Sequence, residues 1–173
     1  MLLYKNMEEL FLEKTSIIRR NLEELERILK VKIEVAGKTI TISGDALDEY
    51  EASIVLEALS FGFVMKKALL IKNEEIQFIK IPIKSITKRK DLKTVRARVI
   101  GKEGKTKRTI EDISDCSLVI NNNEVGVIGN AESINKAKTA LQSLIRGSKE
   151  SNVYNFLERM NAAKKDINKY YKK

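Results

Sequence analysis

Apolar residues recur at helical spacing on both sides of a short glycine-containing stretch, residues 101–104. The stripe before it consists of Leu92, Val95, Val99 and Ile100. The stripe after it consists of Thr106, Ile110 and Ile113. Spacings of three and four residues place each set on one helical face, and Asp91 is predicted to cap the first helix. The pattern predicts two helices joined at the glycines, followed by a short buried strand at 118–120.

Further elements are predicted around this pair of helices. The apolar-rich run at 76–84 predicts a strand that ends at Pro82 or lies at a sheet edge, because proline cannot donate a ladder hydrogen bond. A polar turn at 121–123 joins two strands. Asn130 and Gly147 are expected to bound the next helix. A final helix carries an apolar stripe expected to dock on the chain's own core or on a partner: Val153, Phe156, Leu157, Met160, Ile167 and Tyr171.

The two halves of the chain repeat each other with a period of 85 residues. Apolar positions and glycines correspond without a gap. The matched pairs include Leu25 and Ile110, Val35 and Ile120, Ile42 and Val127, Gly44 and Gly129, Leu56 and Leu141, and Gly62 and Gly147. A repeat of this kind indicates two copies of one structural unit.

The first copy lacks the glycines of the second. Ser16–Arg19 stands where the repeat would place them, so we expect a degenerate unit that packs and positions, although Arg19 and Arg20 could touch a phosphate. Leu2–Tyr4 is a candidate first strand. Met7, Leu10 and Phe11 are expected to begin a helical stripe.

Charge is distributed unevenly along the 173 residues. The net charge is +9, but residues 1–72 carry 11 basic and 12 acidic side chains, whereas residues 73–173 carry 22 and 12. Ten basic residues surround the glycines: Lys88, Arg89, Lys90, Lys93, Arg96, Arg98, Lys102, Lys105, Lys107 and Arg108. A basic cluster of this kind indicates nucleic-acid binding.

The glycine stretch Gly101-Lys102-Glu103-Gly104 can form a phosphate-binding loop. Glycine permits a turn with positive φ, and the second helix then directs its free N–H groups and its positive dipole end toward that turn.

Two alternative interpretations of the same residues remain open. Gly104-Lys105-Thr106 matches the end of a nucleotide-binding P-loop, but Val99 replaces the required first glycine. The stretch could also be only a structural turn.

Composition argues against an enzyme. The chain has no histidine, which removes the usual general base and leaves only catalysis by carboxylates open. Its one cysteine excludes an internal disulfide, and without histidine a zinc site of cysteine and histidine ligands is excluded as well. Cys116 is predicted to be a packed thiol. Glu111, Asp112 and Asp115 are expected to form a solvated face. No cofactor is expected. With no long apolar run and no signal-peptide pattern, the protein is expected to be soluble and cytoplasmic.

The order helix, GxxG, helix, strand, turn, strand, helix resembles the KH domain. The resemblance implies an α+β fold of two tandem type I KH units (βααββα). It divides the chain into a degenerate unit at 1–72, a unit with the GxxG loop at 73–150 and a C-terminal basic helix at 151–173. The GxxG loop of a KH domain holds backbone phosphates beside an apolar groove. The RNA-binding residues implied are Arg96, Arg98, Val99, Ile100, Gly101, Lys102, Glu103, Gly104, Lys105, Thr106, Lys107, Arg108, Ile110 and Leu118, with Val99, Ile100, Ile110 and Leu118 lining the groove.

Two tandem units with GKEGKTK in the second resemble the Pno/Dim/Krr group of archaeal and eukaryotic ribosome-assembly proteins. This resemblance implies binding of single-stranded RNA near the 3′ end of small-subunit rRNA. It also implies cooperation with the endonuclease that matures this end, and contact with the alpha subunit of translation initiation factor two. The alternative is a protein-interaction adaptor with little direct RNA binding. An NTP-binding enzyme is a third, more distant class.

Overall fold

The computed structural model describes the backbone of residues 8–171 and the side chains of residues 9–162. The chain divides into two compact units, Met1–Glu74 and Glu75–Lys173. Each unit contains a three-stranded antiparallel sheet. The expected α+β class and the βααββα order are therefore confirmed.

The first unit consists of short elements before its hairpin and one long helix after it. Its strands are β1 (Glu8–Phe11), β2 (Lys32–Ala36) and β3 (Thr39–Ser43). Its helices are α1 (Ser16–Arg20), α2 (Leu22–Leu29), α3 (Ala46–Phe61) and α4 (Met65–Ala68), followed by the 3-10 turn Leu69–Lys72. The strand order is β1-β3-β2.

The second unit adds helices before and after the same pattern. Its strands are β4 (Ile76–Pro82), β5 (Ser117–Asn121) and β6 (Glu124–Asn130), in the order β4-β6-β5. Its helices are α5 (Ile83–Ile86), α6 (Leu92–Ile100), α7 (Lys105–Ser114), α8 (Ala131–Arg146) and α9 (Glu150–Tyr171). As expected, Pro82 ends a strand at a sheet edge.

The backbone reproduces the sequence repeat. Shifted by 85 residues, β2 coincides with β5 and α3 coincides with α8 at both ends. Left-handed residues recur at the same interval. Lys30 and Asp115, with φ of 58° and 57°, end α2 and α7, and Gly62 and Gly147, with φ of 123° and 119°, end α3 and α8. The two units therefore share a backbone plan from α2 and α7 onward.

The first unit departs from the plan before α2. Leu10 and Phe11 lie in β1, which pairs with β3, so the expected helical stripe there is wrong. Sheet pairing overrides a short helical spacing at these positions. Met7 and Leu2–Tyr4 lie outside the described residues. In the described part of this unit, the single short helix α1 takes the position of the glycine loop, and no helix corresponds to α6.

The core of the second unit lies between its sheet and its helices. Apolar side chains from every layer meet there, including those of α9. Fully or nearly fully buried members include Val95, Val99, Ile110, Leu118, Val125, Val127, Leu141, Leu144, Val153 and Leu157. Val153 and Leu157 of the α9 stripe therefore dock on the chain's own core and Phe156 packs against it, whereas Met160 is 42% exposed.

A polar contact also holds α9 in place. Asn161 donates its side-chain N–H to the carbonyl of Ile113 at the end of α7 (2.6 Å) and accepts a hydrogen bond from the Lys136 ammonium (3.1 Å). Lys136 is 6% exposed and pairs with Glu132 at 2.8 Å. A buried ammonium needs such partners, because burying a lone charge is costly.

One hydrogen bond recurs in both units at the 85-residue interval. The Glu26 carboxylate accepts from the backbone N–H of Ile33 (2.9 Å), and the Glu111 carboxylate accepts from that of Leu118 (2.7 Å). Each glutamate thus joins the helix before the hairpin to its first strand. The expectation that Glu111 belongs to a solvated face is wrong, because its carboxylate satisfies a backbone donor on a buried residue.

Replacement of Glu111 by alanine is expected to destabilise the second unit by about 1–3 kcal/mol, because the Leu118 N–H loses its acceptor. Glutamine should lose less, since its side-chain carbonyl still accepts. Urea denaturation followed by circular dichroism measures the difference. Asp112→Ala, at an exposed position of the same helix, is the control. Equal stability of the two alanine variants would contradict a structural role for Glu111.

Candidate nucleic-acid interface

The helix α6 leads directly into the glycine loop, and its start is fixed by Asp91. The Asp91 carboxylate accepts from the backbone N–H of Lys93 (3.1 Å) and Thr94 (3.2 Å) and from the Thr94 hydroxyl. These hydrogen bonds, the hydroxyl first, lower the pKa of Asp91. The carboxylate therefore stays ionised at the positive end of the helix dipole.

The loop itself turns sharply through three left-handed residues. Gly101 has φ of 74°, Glu103 of 52° and Gly104 of 76°. The N–H of Gly104 donates to the carbonyl of Gly101 (3.2 Å), and the N–H of Lys105 donates to that of Lys102. The turn ends where α7 begins, and no side chain caps that helix.

Gly101 is required by space as well as by φ. A Cβ at this position would lie 2.6 Å from both the backbone nitrogen and the Cβ of Thr106, far inside van der Waals contact. Thr106 is 1% exposed and packs under the loop. At Gly104 an added Cβ would meet only the end of the Arg108 side chain, at 3.9 Å. Gly101 is therefore needed for its positive φ and for the space that Thr106 occupies, whereas Gly104 is needed for its positive φ alone.

Two lysines of the loop project into solvent. Lys102 and Lys105 are exposed, and their ammonium groups contact no acceptor among residues 9–162. Helix α6, which ends with a backbone hydrogen bond from Gly101 to Ala97 (2.8 Å), sets the direction of the loop. Free ammonium groups beside a helix N-terminus can bind a phosphate.

Other basic residues of the site have partners within the unit. Lys107 pairs with Glu111 at 3.1 Å. Arg108 folds back and donates to the carbonyls of Glu103 and Gly104. Lys107 and Arg108, two of the RNA-binding residues that the resemblance implies, are therefore held by acceptors of the loop and of α7.

Arg96 and Arg98 tie α6 to neighbouring segments. Arg96 donates to the carbonyl of Asn122 (2.9 Å) and to the Asn123 side chain (3.3 Å), both in the turn between β5 and β6. Arg98 donates to the carbonyl of Ser148 (2.8 Å), between α8 and α9. Both guanidinium groups keep their charge near the loop, but they also stabilise the surrounding chain.

The groove expected from the sequence is only partly at the surface. Val99, Ile110 and Leu118 are at most 1% exposed, so they form the core beneath the site and offer no surface to a base. Their helical and strand spacing indicates burial, which is the more common outcome for such residues. Ile100, next to the loop, is 37% exposed and remains available for contact.

The sequence did not identify β5 as an edge strand, with backbone groups that face away from the rest of the sheet. The Leu118 N–H points away from β6, because it donates to Glu111. Backbone groups alternate in direction along an antiparallel strand, so the N–H and carbonyl of Ile120 also face away from β6. The spacing of apolar residues predicted this strand, but only the strand order β4-β6-β5 shows that it is an edge.

The described residues provide no support for metal or thiol chemistry. No three carboxylate or thiol side chains in this part of the chain could hold a metal ion. Burial raises the pKa of the Cys116 thiol from 9.0 to about 11, so it remains protonated near neutral pH. None of the described helices is long and apolar enough to cross a membrane.

Two glycine substitutions test the loop geometry. Gly104→Ala is expected to destabilise the second unit by about 1–2 kcal/mol, the strain of a left-handed alanine. Gly101→Ala should destabilise it more, because Thr106 must also move. Urea denaturation gives both values. Equal losses for the two variants would contradict the close packing of Gly101 on Thr106.

The reactivity of Cys116 tests its burial. At pH 8 a thiol reagent should modify this residue slowly in the folded chain and rapidly in denaturant. Because the folded pKa of about 11 exceeds the value of 9.0 for an exposed thiol, the contribution of Cys116 to stability is present below pH 9. It is lost as the pH rises toward 11. Rapid modification of the folded chain would contradict this picture.

Comparisons with known proteins agree with this geometry. Residues 77–162 match the family model for the second KH domain of PNO1, a eukaryotic-type KH domain of type I. A KH domain-containing protein of Methanocaldococcus jannaschii is 33% identical over 142 residues, which cover 78% of this chain and 63% of that protein. Other relatives are eukaryotic PNO1 proteins, named as RNA-binding or pre-rRNA-processing proteins. The chain spans less than two thirds of the length of these curated relatives.

Two solved structures from Pyrococcus horikoshii OT3 are similar along nearly the whole chain. Dim2p is 30% identical with a TM-score of 0.82, and the match covers 90% of this chain and 99% of Dim2p. A chain of the a/eIF2alpha–aDim2p–rRNA complex is 28% identical with a TM-score of 0.85, and the match covers 94% and 97%. The family match, the relatives and the fold agree: this chain belongs to the Pno/Dim group of KH-domain ribosome-assembly proteins.

Proposed function

We propose that the chain binds single-stranded RNA through the glycine loop of its second unit. The observation that carries this proposal is the loop itself, which holds Lys102 and Lys105 exposed and unpaired at the N-terminus of α7. Backbone phosphates are the ligands that such a helix end and two ammonium groups bind. The exposed Ile100 and the edge of β5 are surfaces for the bases.

The charge distribution supports an RNA ligand. Residues 73–173 carry 22 basic and 12 acidic side chains, and the basic ones concentrate around the loop. Arg96 and Arg98 remain charged although they bond to carbonyls. An excess of positive charge on one unit favours association with a polyanion and makes it sensitive to salt.

The RNA proposed is small-subunit rRNA near its 3′ end, and the process is assembly of the small ribosomal subunit in the cytoplasm. The similarity to a Dim2p chain in a complex with a/eIF2alpha and rRNA supports this choice. The proposed protein partners are the endonuclease that matures the 3′ end and the alpha subunit of translation initiation factor two. In this function the chain binds and positions RNA and performs no catalysis.

A second candidate function is that of an adaptor for other proteins. The first unit favours it, because its chain carries slightly more acidic than basic residues and it has no glycine loop in the described residues. Leu47 and Tyr50, three residues apart on α3, are 68% and 60% exposed. Exposed apolar side chains of this size are typical of protein contacts.

The double variant Lys102→Asp, Glu103→Asp tests RNA binding at the loop. Aspartate tolerates the left-handed backbone of Glu103 (φ 52°), so the unit should stay folded. Binding of a short single-stranded RNA with the 3′-end sequence of small-subunit rRNA should weaken by roughly tenfold or more, because charge-assisted hydrogen bonds contribute about 1.5–3 kcal/mol each. Fluorescence anisotropy at several salt concentrations measures the affinity and its salt dependence.

Lys66→Asp is the matched control. Lys66 is exposed on α4 in the first unit, and the substitution changes the net charge by the same amount. It should leave affinity nearly unchanged. In the loop variant, the slope of log affinity against log salt should fall by roughly 0.7 for each phosphate that the loop no longer neutralises. Equal weakening by both variants would indicate a nonspecific charge effect and contradict the proposal. Absence of RNA binding by the parent chain would favour the adaptor.

A further inference from the structure

Every carbonyl of the glycine loop accepts a hydrogen bond from within the second unit. The Gly104 N–H donates to the Gly101 carbonyl, and the Lys105 N–H donates to the Lys102 carbonyl. The Glu103 carbonyl accepts from the Arg108 guanidinium, which also makes a longer contact, of 3.5 Å, with the Gly104 carbonyl. As the N-cap of α7, Gly104 also offers its carbonyl to the first intrahelical hydrogen bond, from the Arg108 backbone N–H. The Glu103 oxygen is therefore the one whose donor is the Arg108 side chain.

This matters because a phosphate is repelled by exposed carbonyl oxygens. A loop that binds an anion must direct N–H groups outward and keep its partially negative oxygens bonded elsewhere. Gly101 and Gly104 supply the necessary φ angles, and the backbone of α7 supplies a donor for the Gly104 oxygen, but the Glu103 oxygen is left to a side chain. Arg108 lies one turn into α7, where its planar guanidinium reaches both oxygens at once.

We propose that Arg108 is a positioning residue that holds the glycine loop in its phosphate-binding form by covering the carbonyl of Glu103 and bridging to that of Gly104. The proposal rests on the RNA-binding function proposed above and adds a division of labour within the loop. Lys102 and Lys105 contact the phosphates, and Arg108 fixes the backbone that presents them. The sequence repeat supports a role specific to the loop, because the corresponding residue of the unit without glycines is Glu23.

Arg108→Lys separates positioning from simple charge. Lysine keeps the positive charge but replaces the two-pronged guanidinium by a single point charge, so it cannot reproduce both hydrogen bonds. If Arg108 acts by positioning, hydrogen exchange of the Gly104 and Lys105 amides in the RNA-free protein should accelerate by roughly tenfold. RNA affinity should fall by roughly the same factor, with the salt dependence nearly unchanged.

The control is Arg159→Lys, at an exposed position of α9 whose side chain has no partner among the described residues. It should change neither the exchange of the loop amides nor the RNA affinity. Amides of β6 report whether the second unit remains folded in each variant. Their exchange should be the same in the parent chain and in both variants.

Each outcome decides the proposal. Faster loop exchange and weaker RNA binding in Arg108→Lys, with both unchanged in Arg159→Lys, would support it. Unchanged exchange of the Gly104 and Lys105 amides in Arg108→Lys would overturn the proposal, whatever the RNA affinity. Faster exchange of these amides with RNA affinity equal to that of the parent chain would also overturn it. Failure of the RNA-binding function would show instead as absent binding by the parent chain, whereas the exchange measurement needs no RNA.

Discussion

The structure of the glycine loop depends on the close approach of Gly101 to Thr106. There is no room for a Cβ between them, since it would lie 2.6 Å from the Thr106 nitrogen. This contact lets α6 and α7 meet at a sharp turn with the N-terminus of α7 pointing outward. Thr106, being buried, fixes the first turn of α7 against the core of the unit. Lys102 and Lys105, which lie between Gly101 and Thr106 in the chain, are both exposed.

The first unit shows what the same backbone plan does without this contact. From α2 onward its elements and its left-handed residues match those of the second unit at an interval of 85 residues. At the position of the loop it has the short helix α1, and Ile18 is fully buried there. A bulky apolar side chain at this point stabilises a core, whereas glycine opens the backbone to a ligand. The repeat thus separates the scaffold from the site.

The two-unit organisation, the helix caps and the edge strand could be predicted from the sequence. The spacing of apolar residues and the types of residue at turns are local signals of such features. The repeat predicted two units, Asp91 and Asn130 were identified as caps that accept backbone hydrogen bonds, and the edge position of Pro82 followed from its missing N–H. Side-chain partners could not be predicted, since they depend on which elements meet in space. The apolar stripe identified Val99, Ile110 and Leu118 but could not distinguish a groove lining from a core. Glu111 and Arg108 likewise look like surface charges until their backbone donors and acceptors are located.

The repeated glutamate contact has a consequence for the behaviour of the chain at high concentration. Each first hairpin strand lies at the edge of its sheet, and an unpaired edge is a template on which another molecule can add a strand. Glu26 and Glu111 occupy one amide of that edge and place a negative charge beside it. Both copies of the unit therefore carry the same built-in protection against edge-to-edge aggregation.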